Sequence, residues 1–341
     1  MTTGKQYLRK YVSTFLLLLS TLVCSDGLAH DVHEHKPAYL VTNDGEEIRG
    51  LLQSFRETGD DRYLDQAWEQ LHPEIGKTSA NLSVLVDAAT VAQSRHEFET
   101  ARALVDRVLK RQPGLDQAWL LKASIALVQG RIDDAENACE HLRSVPAFVA
   151  MTCSARVDIA RETPDVALRK LTAILNVIRP ESANPGYLAW ALSIAGDAAA
   201  AVQPDTAVQY YERSLAISES TQVRSALIDT LISLERFENA LVKLQTNHEA
   251  LPLSVRHFIV MKKLGISESV ADEIAHADHE FQHWIAREDW VHAREMTRFY
   301  TDVIERPALA ERLAKVNLSM QREPEDLLLA KRTGICMPCD M

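Results

Sequence analysis

The chain has 341 residues, with 37 Lys and Arg against 48 Asp and Glu and therefore a formal net charge of −11; 46% of its residues are hydrophobic and 25% charged, the balance of a folding chain. The acidic excess excludes the basic footprint that a phosphate-reading nucleic-acid binder needs. With 12 Gly, 12 Pro and 6% aromatic residues, the composition favours helix packed on helix over a turn-rich β fold.

Residues 1–29 read as a signal peptide. Lys5, Arg9 and Lys10 stand without an acid among the first 11 residues, and the uncharged run Val12–Val23 follows. That run is well short of the ~20 apolar residues a spanning helix needs, so no stable membrane span is expected once it is removed. Cleavage is expected between Ser25 and Asp31. Cys24 lacks the small preceding residue of a lipid-attachment signal, since Val23 stands there. Export to the periplasm permits disulfides among Cys139, Cys153, Cys336 and Cys339.

Residues 30–45 form a polar segment whose His30, His33 and His35, with Asp31 and Glu34, suit Zn, Cu or Ni. From residue 46 to 332 the chain repeats. Ala89, Phe98, Ala101 and Pro113 in one stretch correspond to Ala123, Ile132, Ala135 and Pro146 in the next, and Ala101 and Ala135 are 34 residues apart. A small residue on each of two helices lets their axes approach, an apolar residue plugs the turn, and Pro ends the second helix. The series continues through Ala155/Ala167/Pro180, Ala195/Ala207 and Ile228/Phe237/Ala240/Pro252, with a linker at 181–186 and room for an extra helix near Leu253–Leu264. Pro164-Asp165, Pro204-Asp205 and Pro324-Glu325 suit a first helical turn, where the missing N–H costs nothing and the acid meets the dipole; all three are expected to start second helices.

These positions resemble the tetratricopeptide repeat family. The resemblance implies an all-α fold, a right-handed α-solenoid of about 16 or 17 helices, each hairpin buried by its neighbours. It further implies that first helices line an open concave groove, here Val86, Gln93, Gln117, Leu120, Ser124, Leu127, Arg156, Leu192 and Asp229. Arg156 and Asp229 are the only charges in this set, so the chain departs from family members that clamp a terminal carboxylate with several bases. A protein or peptide, extended or helical, is the expected partner.

Two further motifs carry chemistry. His279-Glu280-Phe281-Gln282-His283 places two imidazoles one helical turn apart, with His276 joining that face and Glu280 in the position of a general base on a zinc-bound water. No strand pattern accompanies it to hold a substrate. Cys336 and Cys339 end the chain as a CxxC pair in the tail 333–341, either a local disulfide or a metal-binding tail. Cys139 and Cys153 read as two small buried residues more readily than as a bridge. No GxSxG, GxGxxG or GxxxxGK occurs. The sequence thus points to a non-enzymatic envelope scaffold without a cofactor; the alternative is a zinc metallopeptidase at 279–283, or a metal-handling protein of the periplasm.

Overall fold

A computed structural model describes residues 43–245 and 249–336. The signal segment, His30, His33, His35 and Cys339 lie outside the described residues. Helices pair in chain order: α1 (Asn43–Thr58) with α2 (Arg62–Ile75), α3 (Leu82–Ser94) with α4 (Phe98–Arg111), α5 (Asp116–Val128) with α6 (Ile132–Glu140), and α7 (Ala147–Ala160) with α8 (Pro164–Leu175). Then come α9 (Pro185–Ala200) with α10 (Pro204–Ile217), α11 (Thr221–Ser233) with α12 (Phe237–Leu244), and α13 (Leu251–Lys263) with α14 (Ala271–Ala286). The last are α15 (Ala293–Asp302) with α16 (Pro307–Met320), and an unpaired α17 (Pro324–Arg332). Among the described residues there is no β-strand. The fold is an all-α solenoid of stacked hairpins. Pro164 and Pro204 do open second helices, but Pro324 opens a first one, because α17 stacks on α15 in the inner row.

The small residues do what their spacing predicts. Ala89, Ala101, Ala123, Ala135, Ala155, Ala167, Ala195 and Ala207 are all buried at the crossings of their hairpins. The tightest crossing is α9 on α10. There a Cβ added to Gly196 would sit 2.4 Å from the ring of Tyr211, itself buried, so only glycine admits that approach.

Several of the turns between paired helices share one backbone device. His96, Gly130, Glu162 and Glu235 each adopt a left-handed conformation, and the next residue sends its N–H back five positions: Glu97 to Ala92, Arg131 to Ala126, Thr163 to Asp158 and Arg236 to Leu231. This satisfies a terminal carbonyl of the first helix while turning the chain. The plug residue Phe98, Ile132 or Phe237 then starts the second helix.

The stack also curves back on itself. Thr221 at the start of α11 donates its hydroxyl to the Glu57 carbonyl of α1 at 3.0 Å, and the Arg322 N–H before α17 reaches the Val128 carbonyl at the end of α5 at 2.7 Å. His292 Nε2 lies 3.1 Å from Asp61 Oδ2 in the first turn. The expected open concave surface, with hairpins touching only their neighbours, is therefore corrected: early repeats meet late ones across the inside of the curve.

Candidate functional site

The inner helices α3, α5, α7 and α9 enclose a groove of about 270 Å³. Gln93, Gln117, Leu120, Ser124, Leu127 and Arg156 line it, joined by Tyr187 and Trp190. Gln93 Nε2 donates to Ser124 Oγ at 2.9 Å, tying α3 to α5, and Arg156 leans toward the same hydroxyl at 3.4 Å. Two expected groove residues belong to the core: Val86 and Leu192 are 3% and 1% exposed. Val86 belongs to the apolar core shared by α1 to α5, and Leu192 to that shared by α7 to α13. Leu127 shows only an edge, and Asp229 lies outside the groove, in an ionic cluster.

That cluster joins α11, α13, α15 and α17. Arg256, 2% exposed, grips Asp229 with two bonds, Nε to Oδ1 at 2.9 Å and Nη2 to Oδ2 at 2.6 Å. It also donates to the Pro252 carbonyl at 2.8 Å and to Glu295 at 3.2 Å. Arg298 bridges Asp229 at 3.0 Å and Glu325 at 2.6 Å. Arg294 holds Asp326 at 2.6 and 2.8 Å and Glu323 at 2.9 Å. Asn317 Nδ2 and the Glu323 N–H also donate to the carboxylate of Asp326. Arg156 extends from α7 to within 3.7 Å of Glu323, so one rim of the groove faces the acidic first turn of α17.

Burial raises the pKa of Glu325, but Arg294, Arg298 and Arg256 outweigh it and hold the carboxyl down at about 2. Burial lowers the pKa of Arg256, but Asp229, Glu295 and Glu325 more than reverse that and keep it charged. Burial pushes Asp197 up to about 6 against the hydrogen bond Tyr211 donates to it at 2.8 Å. His96, in the turn facing α15, is lowered to about 4 by burial and by Arg294 and His292, and its Nδ1 is buried without a hydrogen bond. The guanidiniums of Arg256, Arg294 and Arg298 are thus fixed on carboxylates of the same chain.

The histidine motif is not assembled into a metal site. His279 and His283 lie ring to ring at 4.4 Å on α14, with His279 66% exposed. Among the described residues no group of three or more His, Cys, Asp or Glu is placed to hold a metal, so His276, His279 and His283 gain no further donor. The acids at and just after the end of α15 are engaged elsewhere: Asp302 by Arg332, and Glu305 by Lys262 at 2.6 Å. Glu280 sits beside His279 at 3.7 Å on the same exposed helix. Cys139 and Cys153 are bridged, their Cα atoms 5.6 Å apart, which corrects the expectation of two buried thiols. A loop of this length is worth about 3 kcal/mol. Cys336 is an exposed free thiol.

Sequence reasoning missed the arginine cluster. The signal available was Arg256 alone inside the apolar run Leu253–Met261, where a core helix has no place for an unpaired charge.

No known family profile matches the chain, and no curated protein does. Solved structures that it resembles include a tetratricopeptide repeat protein from Parabacteroides merdae ATCC 43184, at 14% identity over 86% of this chain and 100% of that one, with a TM-score of 0.40. The Cut9–Hcn1 hetero-tetramer of the APC/C matches at 14% identity over 87% of this chain and 50% of that one, with a TM-score of 0.47. YrrB, described as a tetratricopeptide protein with an unusual peptide-binding site, matches at 17% identity over 53% and 92%, with a TM-score of 0.31. The chain's own paired helices, rather than these distant likenesses, give it the stacked-hairpin fold of tetratricopeptide repeat proteins.

Proposed function

We propose that this protein is a non-enzymatic scaffold, exported to the periplasm, that binds a protein or peptide partner along the groove of α3, α5, α7 and α9. The observation that carries this reading is the contrast inside the curve. The buried charges are paired with one another, whereas the groove presents Leu120, Tyr187 and Trp190 beside the amides of Gln93 and Gln117. Apolar anchors with a few polar groups are what a peptide-binding surface needs.

Export is supported by the basic and then apolar amino-terminal run, and by the Cys139–Cys153 bridge, since such bonds persist outside reducing compartments. Among the described residues no helix is long and apolar enough to cross a membrane.

A photo-crosslinking residue at exposed Gln117, used in living cells, tests the reading. One reproducible protein adduct is expected, lost when Leu120→Glu is added. An adduct indifferent to Leu120→Glu, or none, would remove the groove as the binding surface. Osmotic-shock release of a processed chain whose new first residue lies between 26 and 31 tests export.

A further inference from the structure

A second cavity, larger than the groove, lies on another part of the solenoid and owes nothing to it. In the other hairpins the paired helices approach closely, but α13 and α14 do not. Where small residues meet elsewhere, Phe258 faces Phe281 and Trp284 here, and the 3-10 turn Ser267–Val270 intervenes. The two helices stand apart over a valley of about 480 Å³. Phe281, packed edge-on to Phe299 with centroids 5.0 Å apart, is the one fully buried side chain of the 16-residue α14.

The valley floor is apolar: Leu251, Phe258, Ala277, Phe281 and Trp284. Its rim carries Asp272, Glu273 and Glu280, and among the described residues no Lys or Arg lines it. Glu273, Ala277, Glu280 and Trp284 follow one another at helical spacing, so acid and apolar groups share one stripe of α14. Among the described residues the other polar lining groups are Ser254 and His276. An extended peptide would find almost nothing there for its backbone N–H and C=O groups, whereas a helix satisfies its own. A second copy of this chain, at net charge −11, would bring like charge to an acidic rim.

We propose that the valley between α13 and α14 docks an amphipathic helix of a partner protein, with apolar side chains on Phe258 and Trp284 and Lys or Arg opposite Asp272, Glu273 and Glu280. The occupant completes the packing that a close-set second helix supplies in the other hairpins. This surface is separate from the groove of α3 to α9, so either can fail without the other.

The test uses two synthetic helical peptides with the same leucine face, one flanked by Lys and one by Glu, titrated by anisotropy into the disulfide-intact protein. The Lys peptide is expected to bind about tenfold tighter, and Glu273→Lys/Glu280→Lys is expected to reverse the preference. Both positions are at the surface, so the fold is not at stake. Ala277→Trp, which fills the valley, is expected to abolish binding of both peptides. Equal binding of the two, a preference that survives charge reversal, or equal binding of a proline-broken Lys peptide would overturn the proposal. So would sedimentation showing a dimer that Glu273→Lys/Glu280→Lys dissolves, because the valley would then belong to a second copy.

Discussion

Hairpin α9/α10 is held by shape: Gly196 lets its helix descend onto Tyr211, with Ala195 and Ala207 buried at the same crossing. The inner helices α11, α13, α15 and α17 are instead tied together by charge, with Arg256, Arg294 and Arg298 each shared among carboxylates of other helices. One architecture thus tolerates two kinds of glue. They differ in what they specify: apolar crossings fix only neighbours, whereas the arginines fix partners far apart in the chain and seat α17 inside the curve. A buried ion pair is weak proof of stability but costs much to break.

The difference can be broken from either side. Arg256→Ala leaves Asp229 and Glu295 without their central cation and is expected to cost about 4 kcal/mol in denaturant unfolding. Cys139→Ser/Cys153→Ser removes a bridge confined to α6 and α7 and is expected to cost about 3 kcal/mol while leaving the peptide preference of the α13–α14 valley unchanged. Gly196→Ala drives a methyl into a ring that has no room to retreat, and about 2 kcal/mol is expected. Arg156→Gln, which loosens two long contacts, 3.7 Å to Glu323 and 3.4 Å to Ser124, is expected to change stability by about 0.5 kcal/mol.

The pH dependence sharpens the same contrast. His96 binds its proton less readily folded, at about 4, than unfolded, near its ordinary 6.5. The unfolded chain therefore takes up the proton first, and stability falls as pH drops from 6.5 toward 4 and levels off below. Asp197 works the other way: its folded value near 6 lies above the unfolded 3.8, so its cost appears as pH rises through that window. His96→Asn, suited to the left-handed backbone there, is expected to flatten the loss between 6.5 and 4 in urea midpoints taken at each pH.

The repeats were legible because close packing leaves a regular mark: a helix crossing needs small residues at fixed spacing, and Ala101 and Ala135 show it without coordinates. The extra helix near Leu253–Leu264 was legible for the same reason and appears as α13. Groove positions were legible in phase but not in depth. Leu120 and Leu192 hold equivalent places in the pattern, yet Leu120 lines the groove and Leu192 is buried in the core. The left-handed turns at His96, Glu162 and Glu235 left no mark, since they carry no glycine there, unlike the turns at Gly130 and Gly265. Arg256 stood out as a charge among apolar residues, but its partner Glu325 left no mark, because an ion pair across 69 residues has no period. The HExxH spacing was correct on its helix, yet four-residue spacing supplies two imidazoles and not a third donor.

Closure of the curve is tested most directly at the contact between the end of α5 and the approach to α17. A Cβ at Gly130 would lie 3.3 Å from that of Arg322, close to disulfide reach. Gly130→Cys/Arg322→Cys should oxidise spontaneously and return, on tryptic mass mapping, one cross-linked peptide pair containing both positions. Two alkylatable thiols at these positions in a chain with unchanged circular dichroism would mean that the early and late repeats do not meet.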